Sequence, residues 1–293
     1  MRVFVTGATG FIGSAVVPEL INAGHQVIGL SRSDAGEKQL KAAGAEVHRG
    51  DLEDLESLKS GAAKADGVIH LGFIHDFSRF AEVSAIDQKA IEALGSVLEG
   101  SDRPLIITSG TGVGSTVPGQ LATEDNYDPN HPTPRKTEVA GIAVLERGVN
   151  VSVVRLPQVH DTVKQGLVTY VIQVSRDKGV SAYVGDGKNR WPAAHVLDTA
   201  RLYRLALEKA APGARYNAVG EEGVSAREIA EAIGRGLAIP VVSMPPEKAA
   251  EHFGWLAMFT GLDMPASSAL TQKRLGWKPT GPGLIADMDN MKY

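Results

Sequence analysis

The chain has 293 residues, 43% of them hydrophobic and 22% charged, with a formal net charge of −4; this is the make-up of an ordinary soluble globule with apolar material for one large or two modest domains. Its scattered Lys and Arg form no basic stripe, which argues against nucleic acid or an anionic membrane as partner, and no apolar run approaches the roughly 20 residues of a membrane span. The absence of cysteine excludes disulfides, thiolate chemistry and cysteine-ligated metal, the eight histidines show no paired ligand spacing, and with no targeting segment at the N-terminus the expectation is no metal and a cytoplasmic location.

In chain order the pattern alternates. "VFVT" reads as a strand, then follow a Gly-rich turn, the helical "FIGSAVVPELINAG", the strand "QVIGLSR", the helical "AGEKQLKAAG", a short strand "AEVHRGD", the helical "LEDLESLKSGAAK" and the apolar strand "GVIHLG". A helix near 81–99, the strand "PLIITSG", a helix near 134–147 opened by Thr133 and Pro134, and the strand "VSVVRLP" continue the rhythm. Pro18 falls about two turns into the first helix and is expected to kink it, though Ile12, Val16, Leu20 and Ile21 still make one apolar face. Strands alternating with helices predict an α/β fold, a Rossmann-type doubly wound parallel sheet covered on both faces. After about residue 156 the rhythm loosens. Helices near 165–178, 198–210 and 225–237 are separated by longer turns, and the tail is rich in Pro and Gly. Residues 1–155 are therefore expected to form the nucleotide-binding domain and 156–293 mainly a smaller α/β substrate lobe, with some segments returning to the first sheet. Ser225 with Glu228 three residues on is a capping box that starts the last of those helices.

"VFVTGATGFIG" places Gly7, Gly10 and Gly13 between a strand and a helix. A strand–turn–helix with this triplet lets the backbone turn tightly, approach a pyrophosphate closely and seat it over the helix N-terminus. Thr6, Gly7, Thr9, Gly10, Phe11, Ile12 and Gly13 are accordingly the expected dinucleotide-binding residues. The second strand ends in Arg32 and Ser33 rather than an acidic residue, a cation and a hydroxyl suited to a 2′-phosphate, so NADP(H) is expected over NAD; Arg32 as a merely solvated loop charge is the alternative. Asp51 and Leu52 follow the third strand, where they could border an adenine, and Asp51 could equally cap the next helix.

"TGATGFIG", Asp51-Leu52, "VIHLG", "IITSG", "VVRLP" and "WPAAHVLDTA" together resemble the short-chain dehydrogenase/reductase superfamily, in its extended epimerase/dehydratase-like branch, over nearly the whole chain. The resemblance implies that Ser109 holds a substrate oxygen, that the turn at His70, Leu71 and Gly72 meets the nicotinamide ribose, and that Pro157 to Val159 form a turn beneath the nicotinamide. His195 and Asp198 match a motif at the cleft edge, although Asp198 reads equally well as the cap of the following helix. It further implies dimerisation through two helices of the nucleotide domain, with a monomer left open.

The pattern breaks at the chemistry. In that branch a Tyr and a Lys four apart on one helix face exchange a proton with the substrate. Aligning Glu138 with the glutamate that usually follows puts Asn130 and Pro134 at those places, and Asp87 replaces the family's active-site Asn. Substitutes are Tyr127 with His131; Lys136; and His75 and His160, which follow strands predicted to end at the cleft. The leading expectation is an atypical NADP-dependent oxidoreductase reducing a small carbonyl compound, with Ser109, His75 and His160 as catalytic candidates. An NADP-binding sensor without turnover and a sugar-nucleotide epimerase or dehydratase are the alternatives; isolated arginines such as Arg176 and Arg190 would have to serve the latter. The aromatic stretch "EHFGWLAMFTGLDMP" is either a pocket wall, a subunit contact or ordinary core around Phe253, Trp255 and Phe259.

Overall fold

The short apolar runs pair side by side as parallel strands because the helices between them are long enough to carry the chain back over the sheet. The computed structural model describes residues 1–115, 117, 119–128 and 135–293. Its first half consists of β1 (Arg2–Thr6), α1 (Gly13–Asn22), β2 (Gln26–Ser31), α2 (Asp34–Ala42), β3 (Glu46–Arg49), α3 (Leu55–Ala63), β4 (Gly67–His70), α4 (Phe80–Leu98), β5 (Leu105–Gly110), α5 (Thr137–Glu146) and β6 (Val151–Leu156). The remainder adds β7 (Gln158–His160), α6 (Val168–Lys178), β8 (Ser181–Val184), β9 (Arg190–His195), α7 (Val196–Lys209), β10 (Arg215–Asn217), β11 (Glu221–Ser225), α8 (Ala226–Leu237) and β12 (Val241–Met244). Four short helices close the chain: α9 (Ala249–Phe253), α10 (Ala257–Thr260), α11 (Ala269–Leu275) and α12 (Leu284–Asn290). The main sheet has seven strands in the order β10-β6-β5-β4-β1-β2-β3, all parallel. The strand order reverses between β1 and β4, and the crevice at such a reversal is where open α/β sheets bind ligands.

Strand side chains alternate between two cores. Val3, Val5, Ile69, Ile106 and Val154 enter one, filled from α1 and α7; Phe4, Val68, Leu105, Ile107 and Val153 enter the other, filled from α3, α4 and α5. The same alternation, carried two residues further, aims Thr6, His70, Ser109 and Arg155 at the α4/α5 side along the carboxyl edge of the sheet. The smaller lobe has its own core around Val171, Trp191, Ile229, Phe253 and Leu284. It contains a three-stranded sheet β11-β9-β7 and the pair β12-β8. β10 and α7, both beyond residue 156, belong to the main sheet and its first core.

Several boundaries differ from the expectation. α1 continues through Pro18, as its apolar face leads one to expect, but begins at Gly13. α5 begins at Thr137 rather than 134, with Arg135 tied to β5 and Thr137 to Asp87 of α4 by hydrogen bonds; Thr133 and Pro134 lie outside the described residues. α7 is capped by His195, whose ring accepts from the Leu197 amide at 3.3 Å. Asp198 is thus not the cap: its carboxylate accepts from the amides of Thr280 (2.9 Å) and Gly281 (2.7 Å) and pins the C-terminal tail. The capping box at Ser225 and Glu228 is present.

Candidate active site

The glycine loop is packed where a side chain has no room. Gly7 has φ +64, and a Cβ there would stand 2.7 Å from the Gly72 nitrogen; a Cβ on Gly13 would stand 2.1 Å from the Gly7 carbonyl oxygen. Only glycine lets β1, the β4 turn and the first turn of α1 close on one another. A Cβ on Gly10 would meet only its own loop, the Gly7 oxygen at 3.2 Å, so this face of the turn lies open in front of the α1 N-terminus. Open backbone at a positive helix end is the chemistry a pyrophosphate fits. Thr9, Phe11 and Ile12 are half-buried around it. At the end of β2 the Arg32 side chain is 80% exposed and stands 3.7 Å from the Asp51 carboxylate. Ser33 accepts from the Gly36 amide and caps α2, which leaves its hydroxyl hydrogen free to donate outward. Asp51 does not cap α3; Asp54 does, accepting from the Ser57 amide at 3.1 Å, while Asp51 turns its oxygen to the Glu53 amide. Leu52 packs on the Gly72 turn, 2.7 Å from where a Cβ there would stand.

Along the carboxyl edge a chain of hydrogen bonds crosses four elements. The Gly72 amide donates to Thr6 Oγ1 at 3.1 Å; because the Asp87 carboxylate accepts at the far side of the neutral ring, the Thr6 hydroxyl donates to His70 Nδ1 (2.7 Å). His70 Nε2–H then donates to Asp87 Oδ1 at 3.2 Å. The second Asp87 oxygen takes the Thr137 hydroxyl in a short bond. Arg135 donates from Nε to Thr137 Oγ1 (3.2 Å) and from Nη2 to the Thr108 carbonyl (2.7 Å). Thr108 Oγ1 in turn meets the His70 carbonyl at 2.7 Å and the Tyr203 hydroxyl at 2.8 Å. Burial pushes the Asp87 carboxyl up, but the His70 hydrogen bond and the Arg135 charge outweigh it and hold Asp87 below its ordinary value of 3.8. Ser109 follows on the same edge. Ser109 is 2% exposed, and its Oγ has no hydrogen-bond partner among the described residues. A buried hydroxyl left unbonded is costly; Ser109 shares this with Ser84 and Ser152, and differs from them in standing at the carboxyl edge of the sheet.

The remaining sequence candidates separate. His75 is exposed in the loop after β4, between the rings of Phe73 and Phe77. Desolvation, helped by the nearby charges of Arg135 and Lys164, lowers it below 6.5. His160 is not on an open cleft wall, which corrects the expectation. It is wholly buried, its Nδ1 bound to Asp287 at 2.7 Å, because β7 turns it into the core of the smaller lobe beside His195. Burial lowers its pKa against the opposing pull of Asp287. Pro157 to Val159 are not a turn either: Gln158–His160 pair with β9 as a strand, and Val159 is buried. Tyr127 lies under the Arg215 guanidinium at 4.8 Å, and burial with the Glu138 charge raises its phenol. That is the opposite of what a proton-exchanging tyrosine needs. Asn130 and His131 lie outside the described residues, and Lys136 is exposed. Glu138 is buried between Arg155 and Arg215 as a structural carboxylate. Leu71 is half-buried, its amide on the Thr6 carbonyl.

Two cations were not anticipated. Arg135 reaches into the carboxyl edge as described, its guanidinium 4.5 Å above the Phe73 ring. Lys164, in the loop after β7, places its ammonium 5.9 Å from the Phe11 ring and so faces the glycine loop from the opposite wall. Neither lies in a motif, and only the tertiary fold brings them to the crevice.

A crevice at the β1/β4 reversal, a glycine loop and a polar carboxyl edge are the features of a dinucleotide-binding Rossmann-type fold. Residues 3–98 match the NAD dependent epimerase/dehydratase family. The chain is 50% identical over 295 residues to Uncharacterized protein C2A9.02 of Schizosaccharomyces pombe, covering 100% of both. It is also 28% identical over 232 residues to a 2-alkyl-3-oxoalkanoate reductase of Stenotrophomonas maltophilia, covering 73% of this chain and 67% of that one. Among solved structures, the dTDP-glucose 4,6-dehydratase DesIV of Streptomyces venezuelae, with NAD and TYD bound, shares the fold with a TM-score of 0.79 at 19% identity, over 99% of this chain and 95% of that one. The chain belongs to the NAD-dependent epimerase/dehydratase family, in the extended branch of the short-chain dehydrogenase/reductases, and is an oxidoreductase of that family. No helix among the described residues is long and apolar enough to cross a membrane.

Proposed function

We propose that the chain reduces a small carbonyl compound with NADPH. The observation that carries this reading is Ser109, a buried and unpartnered hydroxyl at the carboxyl end of β5, next to the Thr108 carbonyl that Arg135 holds. The loop from Thr6 to Gly13 would hold the pyrophosphate, Arg32 and Ser33 the 2′-phosphate, Asp51 and Leu52 the adenine side, and Lys164 the phosphates from across the groove. NADPH, when bound, supplies the hydride. Ser109 donates its hydroxyl hydrogen to the carbonyl oxygen and fixes its place, and the positive charge of Arg135 favours the negative charge that develops there. The oxygen then takes one proton, from His75 when that ring is protonated and otherwise from water, to give the alcohol. A dedicated acid contributes about 10²–10⁴-fold, so a reductase without the family's tyrosine is slow but functional. A relative bearing the name of a 3-oxoalkanoate reductase supports a carbonyl substrate.

A nucleotide-sugar reading draws on the likeness to a dTDP-glucose dehydratase. It has less support in this chain, since Arg190 is committed to Asp263 by two hydrogen bonds from its side chain and Arg176 lies on the surface of α6 with Gln173. The test is NADPH consumption over a panel of aldehydes, ketones and quinones beside NADPH and NADH titrations. Turnover that falls in Ser109→Ala supports the proposal; tight NADPH binding with no turnover on any carbonyl favours a cofactor sensor instead.

A further inference from the structure

The loop after β4 and the segment 255–266 of the smaller lobe meet across the mouth of the crevice through aromatic rings. Phe77 stacks on Trp255 with centroids 4.7 Å apart and planes 9° from parallel. Phe80 and Phe259 close on Phe77 edge-on at 5.6 Å and 6.2 Å, and Tyr170 of α6 meets Trp255 at 5.3 Å. At the inner end Phe73 packs against Phe80 and lies under Arg135, which in turn holds the Thr108 carbonyl beside Ser109. The lobe segment runs on past the loop after β5, where the Met264 sulfur stands 3.8 Å from the Cβ position of Gly112. An aromatic cluster therefore runs from Trp255 to Phe73, where it ends under the Arg135 guanidinium that holds the Thr108 carbonyl. It is not buried core: Trp255 is 38% exposed, and Met258 and Leu262 beside it are 50% and 48% exposed. Large apolar side chains left open at a crevice mouth mark a ligand surface.

We infer that the substrate is a flat, conjugated carbonyl compound, its ring system laid along Phe73, Phe77 and Trp255 and its carbonyl oxygen directed to Ser109. This rests on the reading of the site as a carbonyl reductase and adds what that reading leaves open, the class of substrate. Aromatic rings stack with flat π-systems and gain less from a puckered saturated ring of the same skeleton. Arg135 at the inner end favours the oxygen end of a polarised carbonyl over an apolar ring.

The experiment compares 2-naphthaldehyde with its saturated counterpart, decahydronaphthalene-2-carbaldehyde, by calorimetric titration of the full chain held with saturating NADP⁺. Wild type is expected to bind the flat aldehyde about tenfold more tightly than the saturated one. Trp255→Ala and the apolar-conserving Trp255→Leu should bring the two affinities together, while an NADPH dissociation constant at the wild-type value shows that each variant is folded. Equal binding of the two aldehydes by wild type, or a preference that survives both variants, overturns the inference. So does a dimer that Trp255→Ala dissociates with no change in aldehyde binding, which would assign the patch to a second copy of the chain. NADPH oxidation, followed separately, tests the underlying reading. Flat-selective binding without oxidation would remove the reductase and keep the aromatic site; oxidation without flat selectivity would do the reverse.

Discussion

Replacing Asp87 with asparagine changes one charge and two hydrogen-bond positions at the centre of the carboxyl edge. Both partners of Asp87 are donors: His70 Nε2–H toward one oxygen and the Thr137 hydroxyl toward the other. His70 is 1% exposed, Thr137 0% and Asp87 4%, so water cannot step in. An asparagine offers one acceptor and an NH2 group. Either one of these donors loses its acceptor, or His70 must change tautomer and give up the bond it accepts from Thr6, at a cost of about 1–3 kcal/mol. The surviving bond also loses its charge assistance, roughly 0.5–1 kcal/mol more. Asp87→Asn is therefore expected to destabilise the fold by about 2–4 kcal/mol in urea unfolding at pH 7, or roughly 4–12 °C in melting temperature. The pH dependence has a definite sign. Asp87 is held below 3.8 in the folded chain, so its contribution is complete above the unfolded carboxyl value and is lost as the pH falls through the folded one. The difference between variant and wild type should thus be full at pH 7 and shrink below about pH 4. A penalty under about 0.5 kcal/mol at pH 7, or one that is unchanged in acid, would refute the directed chain from Thr6 to Arg135.

Ser109→Ala should lower kcat/KM about 10²-fold while leaving stability unchanged or slightly raised, because the hydroxyl it removes is buried without a partner; paired kinetics and thermal melts check both signs. Gly13→Ala drives a Cβ against the Gly7 carbonyl oxygen, which is backbone and cannot swing aside, so a loss of about 1–3 kcal/mol and a markedly weaker NADPH titration are expected. Arg32→Asp, at an exposed side chain, should leave the melting temperature within about 2 °C and weaken NADPH binding about 10–100-fold relative to NADH. His75 lies below 6.5, so its proton is present only in acid; carbonyl reduction should quicken as the pH falls toward and below that value, and His75→Asn should flatten this limb of the pH profile.

What could be read in the sequence was local. The glycine loop, the strand that leads up to Arg32 and the Ser225 capping box each consist of neighbouring residues whose backbone demands are set within a few positions, and all three are present, the strand ending one residue earlier, at Ser31. What misled was the assignment of a polar residue to a partner by proximity along the chain. Asp198 precedes a helix and reads as its cap, yet its oxygens go to Thr280 and Gly281, more than 80 residues away. His160 follows a strand that leads toward the crevice, yet Gln158–His160 form a separate strand paired with β9 in the smaller sheet, which buries the ring against Asp287. The smaller lobe's five strands went unseen because each is short and owes its pairing to residues far off in sequence, and the Pro- and Gly-rich tail still holds the helices α11 and α12.

The loss of the family's Tyr and Lys and the appearance of an aspartate in place of its Asn are better understood as one change than as three. An ionised carboxylate on the buried side of α4 requires donors on both oxygens and a positive charge within reach. His70 and Thr137 provide the donors, and Arg135 supplies the charge. Those requirements also fix where α5 can begin, since Thr137 must bring its hydroxyl to Asp87 and Arg135 must reach the Thr108 carbonyl. In the resembling branch the cation comes from within the helix. Here it comes from the residue two before the helix starts, aimed at the same carboxyl edge from its approach, and it keeps a positive charge beside Ser109 with no lysine on the helix itself. An arginine cannot give up a proton at working pH. Arg135 so placed can polarise a carbonyl oxygen but cannot itself be the base that the tyrosine of the resembling branch provides, so any proton exchanged at this edge must pass through another group.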